Sequence, residues 1–161
     1  MKLQFIDEPA LAFFQNNSHV DIRAGLASFG VFDKGSPTIP TPIRLGVVGT
    51  TATVDRVRDW LEDCKNGVSS QETKLTTLRP SFPGMTPQVF GTTLELSDLT
   101  TRAVSRHELS AALAGEEPLP RLVETFMDHA RDLAAKSGLH VLIIAPPHEV
   151  FALGDGPRIS E

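Results

Sequence analysis

Ile43-Arg44-Leu45-Gly46-Val47-Val48-Gly49-Thr50-Thr51 is the stretch that decides the fold. Ile43 to Val48 is a strand candidate, and a glycine-threonine turn follows at once. Beyond the turn, Val54, Val57, Leu61 and Cys64 fall at i, i+3, i+7 and i+10 and make one apolar stripe, with Trp60 beside them. Thr51 or Thr53 is the expected N-cap, and Gly67 sits where a helix-ending glycine belongs. Strand, tight glycine turn and helix are the first half of a βαβ unit.

A second strand is expected near the C-terminus. His140-Val141-Leu142-Ile143-Ile144-Ala145 is an apolar run with β-branched residues, stopped by Pro146 and Pro147. A short continuous run bounded by breakers reads as a strand buried on both faces, in the middle of a parallel sheet covered by helices. Such a strand normally has more chain behind it. Only 14 residues follow Pro147, so part of a larger protein is expected.

Between these landmarks, Pro118 to Ser137 is the strongest helix. Leu122, Phe126, Ala130 and Leu133 form its stripe, Val123, Met127 and Ala134 broaden it, and Gly138 closes it. Val89 to Leu96 reads as a strand weakened by Gly91, and Arg102 to Ala114 has helical character. Toward the N-terminus, Leu3 to Ile6 is a short strand candidate, Asn16-Asn17-Ser18 a turn, and Asp21 to Gly30 a compact segment. Lys34 to Pro42 carries three prolines and one glycine and reads as an exposed linker. The division expected is an appendage with linker over 1–42 and a main body over 43–161.

Composition sets outer bounds. The 161 residues are 40% hydrophobic and 22% charged, ordinary for one globular domain with an appendage. No run approaches the ~20 apolar residues of a membrane span. The acidic start MKLQFIDEP has no signal-peptide core, and a single cysteine excludes a disulfide framework, so a cytoplasmic protein is expected. The net charge of −5 argues against a free-standing nucleic-acid binder through bulk charge, though not against local contacts.

A catalytic set is not visible. His107-Glu108 begins like a zinc motif, but position 111 is Ala; no metal, cofactor or catalytic residue is expected. Cys64 lies on an apolar stripe and reads as a small buried hydrophobe. Gly49-Thr50-Thr51 is first a capped tight turn. Its alternative is an anion site, for a nucleotide or similar ligand, at a helix N-terminus. Arg79-Pro80-Ser81-Phe82-Pro83-Gly84 reads as a rigid loop, or alternatively as a surface presenting Arg79 and Phe82. The residues alone lead to an α/β body with an N-terminal appendage.

Four segments in order add a resemblance. They are Phe5 to Phe13 (FIDEPALAF); His19 to Leu26 (HVDIRAGL) with Phe29-Gly30; Ile43 to Thr50 (IRLGVVGT); and Arg79 to Gly84 (RPSFPG). Their order and spacing are similar to the N-terminal part of short prokaryotic Argonaute proteins, over about residues 3–151. The resemblance implies a Rossmann-like MID domain, its partly parallel sheet flanked by helices, that holds the 5′ end of a guide RNA or DNA. It implies a non-catalytic role in prokaryotic immunity. The partners implied are the remaining MID-PIWI polypeptide and an APAZ-containing effector of sirtuin-like or TIR type. The loop that reads the guide corresponds here to Pro147, His148 and Glu149, with Arg79 a further contact. The family's phosphate-gripping residues and its PIWI domain fall beyond Glu161, so weak guide binding by this chain alone is expected.

Overall fold

The computed structural model describes residues 8–70 and 81–154. Its elements are β1 (Leu11–Ala12), β2 (Ser18–His19), α1 (Ile22–Phe29), β3 (Ile43–Gly49), α2 (Thr51–Asn66), α3 (Pro87–Phe90), β4 (Leu94–Ala103), α4 (Arg106–Leu113), α5 (Pro118–Ser137), β5 (Val141–Ala145) and α6 (His148–Gly154). Residues 8–42, 63–70 and 81–93 belong to one compact unit, and 43–62 and 94–154 to another. The strand candidate Leu3–Ile6 lies outside the described residues.

In the first unit, β1 and β2 pair antiparallel, Leu11 opposite His19, joined through a 3-10 turn over Phe14–Asn16. Asp21 caps α1: its carboxylate accepts from the Ala24 N–H at 2.7 Å. The 34–42 segment is tied down by hydrogen bonds. Lys34 Nζ donates to the carbonyls of Phe29 and Gln88, and the buried Thr92 hydroxyl donates to Pro40 O at 2.6 Å. The expected strand from Val89 is instead the helical turn α3. Gly91, left-handed at φ 71°, ends it, and β4 starts only at Leu94.

The second unit is a three-stranded parallel sheet in the order β4-β3-β5. The parallel register runs Gly46 to Leu142 and Val48 to Ile144 on one side of β3, and Gly46 to Thr100 on the other. Right-handed crossovers to strands on opposite sides of β3 put α2 on one face and α4–α5 on the other. Leu45 and Val47 are buried on the face of β3 away from α5. Val48 joins Val104, Phe126, Ala130 and Leu133 in the core under α5. Gly46 is required there, because a Cβ would drive into Leu139 and sit 3.1 Å from Leu133. This is a mixed α/β, Rossmann-like fold with a small N-terminal β-hairpin. No helix of the described residues is long and apolar enough to cross a membrane.

Three expectations change. The strand buried on both faces is β3. Among the described residues β5 pairs only with β3 and is an edge, with Val141 44% and Ile144 40% exposed. The cap of α2 is Thr50, ahead of both expected residues, Thr51 and Thr53. The helix expected from Arg102 begins at Arg106, because residues through Ala103 extend β4. By contrast α5 spans the expected Pro118–Ser137, closed by Gly138 at φ 53°.

Candidate functional site

The two segments singled out in the sequence, 49–51 and 147–149, lie at the carboxyl ends of β3 and β5, which lie side by side. The chain leaves β3 by α2 toward β4 on one side, whereas β5 lies on the other. The gap beyond the carboxyl ends of β3 and β5 is therefore a topological switch point, where ligands bind in open α/β sheets.

Thr50 and Thr53 shape this end. The Thr53 N–H donates to the Thr50 hydroxyl at 3.2 Å, and the Thr50 N–H donates back to the Thr53 hydroxyl at 2.9 Å. The arrangement works as a capping box built from threonines. The Thr53 hydroxyl also donates to the Ala145 carbonyl at 2.6 Å, joining α2 to the last residue of β5. Gly49 allows this closeness: a Cβ there would lie 2.5 Å from the Thr53 hydroxyl and 2.8 Å from the Ala145 carbonyl. The N–H groups of Thr51 and Ala52 are left without intrahelical acceptors.

A cavity of about 850 Å³ opens here. Thr50, Thr51, Thr53 and Arg56 line it from the β3–α2 side. Ser105, Arg106 and Leu109 line it from the start of α4, and Pro147, His148, Glu149 and Val150 from the end of β5. Leu122, fully buried, closes it on the α5 side. Among the described residues no carboxylate pairs with Arg56 or Arg106. Two open guanidiniums and the positive end of α2 make the cavity attractive to anions, with Glu149 opposing.

The loop expected over Pro146–Glu149 is only the two prolines long. His148 and Glu149 are the first residues of α6, and His148 is exposed at the cavity edge. Thus Gly49, Thr50 and Thr51 belong to the same end of the sheet as Pro147, His148 and Glu149, and all but Gly49 line one cavity. Arg79 lies outside the described residues.

Sequence reasoning missed Arg56, Ser105 and Arg106, which line the cavity. Ser105-x-x-Glu108 is a capping-box pattern, which was the available signal. Ser105 accepts from the Glu108 N–H at 3.2 Å, and Glu108 Oε2 accepts from the Ser105 N–H at 2.8 Å. Hydrogen bonding to Ser105, side chain and backbone, with a further contribution from His129, holds the Glu108 carboxyl down at about 2. Among the described residues no three His, Cys, Asp or Glu side chains gather to hold a metal ion.

No protein-family model matches the chain, and no curated protein matches it.

Proposed function

We propose that this chain is a non-catalytic, cytoplasmic part of a short prokaryotic Argonaute, and that the cavity beyond β3 and β5 contacts the 5′-end region of a guide strand. One observation carries the reading. The two segments that the sequence marked for a guide or an anion border the same cavity, together with two arginines that no carboxylate among the described residues neutralises. Phosphates supply much of the affinity for single strands, and Arg56 and Arg106 are placed to meet them. His148 at the edge offers a flat ring on which a base stacks or with which it hydrogen-bonds. The MID-PIWI remainder and an APAZ-containing effector of sirtuin-like or TIR type are the partners in this reading.

Fluorescence anisotropy with a short 5′-phosphorylated single strand, RNA or DNA, tests it. Weak, salt-sensitive binding is expected, lost in the Arg56→Glu/Arg106→Glu double variant. Equal binding by wild type and double variant contradicts the reading.

The second reading is a small α/β protein that takes a nucleotide or other anionic ligand at the Gly49-Thr50-Thr51 turn. It is favoured by the two N–H groups left open at the start of α2. Under that reading a mononucleotide competes with the oligonucleotide at comparable concentration. Under the first, the longer strand binds much more tightly, because it spans more of the cavity.

A further inference from the structure

On the side of α4 away from this cavity lies a second groove of about 880 Å³, lined by Arg102, Glu108, Arg121, Asp128, His129 and Asp132 among others. Within it a chain of hydrogen bonds crosses three elements. Arg102 Nε, at the end of β4, donates to His129 Nδ1 on α5 at 3.4 Å. The other ring nitrogen, Nε2, lies 2.9 Å from Glu108 Oε1 on α4. With Nδ1 accepting, the neutral ring carries its proton on Nε2 and donates it to Glu108. The second oxygen of Glu108 holds the Ser105 N–H. Ser105 and Arg106 then face the first cavity.

We propose that His129 and Glu108 are positioning residues, which fix the start of α4, and with it Arg106, at the mouth of the anion-attracting cavity. The inference rests on the reading of that cavity given above. The helix itself cannot do this alone. α4 has eight residues, too few for a stable isolated helix, so its first turn depends on outside contacts. A capping box makes Ser105 to Glu108 one body, seated on its apolar side by buried Val104 and by Leu109 against the core. The contact to His129 anchors that body to α5, whose Phe126 and Ala130 are in the core. His129 is suited to the task because its side chain is only 16% exposed and is fixed by a donor on one side and an acceptor on the other.

Substitutions separate positioning from bulk stability. Glutamine at 129 can accept from Arg102 through its oxygen and donate to Glu108 through its nitrogen; leucine can do neither. The Glu108→Gln side chain keeps its oxygen on the Ser105 N–H and turns its NH₂ toward the ring. That forces the proton from Nε2 to Nδ1, where it opposes the Arg102 donor.

The experiment is ¹⁵N NMR of the full chain, with and without the 5′-phosphorylated single strand. Without ligand, His129 is expected as the Nε2–H tautomer and as Nδ1–H in Glu108→Gln. The Ser105 and Arg106 amides should shift in His129→Leu and return in His129→Gln. With ligand, His129→Leu should weaken binding about five- to tenfold and His129→Gln less than twofold. Unmoved amides in His129→Leu, or an unchanged tautomer in Glu108→Gln, overturn the inference. So does equal binding by wild type and His129→Leu. Shifted ligand-free amides with no ligand response in the wild type instead overturn the reading of the cavity and leave the positioning intact.

Discussion

The Thr53 hydroxyl donates to the Ala145 carbonyl at 2.6 Å, so the first turn of α2 is tied to the last residue of β5. The same hydroxyl accepts from the Thr50 N–H at 2.9 Å. One side chain therefore completes the capping box of a helix and closes the end of the sheet. Thr53→Val keeps the shape and removes both bonds. A loss of about 1–2 kcal/mol is expected from the lost half of the capping box and an unsatisfied carbonyl. Urea denaturation measures it, and Thr53→Ser should recover most of the loss.

Core and surface positions of α5 should differ sharply. Phe126 is 4% exposed and packs with Val48, Val104 and Leu133. Phe126→Ala should cost about 3–5 kcal/mol through lost burial and a cavity. Val123, three residues earlier, is 53% exposed. Val123→Ala should stay within about 0.5 kcal/mol, as surface changes usually do. Similar losses at the two positions would contradict the helix orientation.

The Glu108 carboxyl, held down at about 2 by hydrogen bonding to Ser105 and then His129, predicts a pH dependence. In the unfolded chain its pKa is about 4.3. Between those values the unfolded state binds more protons, so stability falls as the pH falls. The contribution is fully present above about 4.3 and is lost toward about 2. Its side chain is 41% exposed, so solvent and salt keep the effect small. Thermal midpoints of wild type and Glu108→Gln should be separated at pH 6 and converge as the pH drops through this window.

Burial, with the Asp63 charge adding, pushes the Cys64 thiol up. Thiolate is the reactive form, so Cys64 should react slowly with a disulfide reagent at neutral pH. Rapid modification of the native chain, at the rate seen in denaturant, would contradict this placement.

The parts of the fold that the sequence made legible were those with a strong period or a strong stop. The α5 stripe, Gly138, and the Ile43–Gly49 strand with its glycine turn follow from local chemistry. Strand order was not legible. Val141–Ala145 is the more apolar run, interrupted by no charge, whereas Ile43–Val48 contains Arg44, and only the pairing of β3 with both neighbours shows which one is central. Gly91 weakened an expected strand but in fact ends a helical turn, because a left-handed glycine serves either role. At the site, Thr50 and His148 were visible as single residues. Their shared cavity was not, since it depends on β5 lying beside β3. Arg106 was invisible for the same reason: it comes from the third strand end.

The central claim is that this cavity takes the phosphates of a nucleic-acid strand. Amide shift mapping of the full chain during titration with a 5′-phosphorylated single strand tests it most directly. The account predicts shifts clustered at Thr50–Thr53, Arg56, Ser105–Arg106 and His148–Val150, reduced by added salt and abolished in Arg56→Glu/Arg106→Glu. Shifts confined elsewhere, or none at millimolar strand, would contradict it.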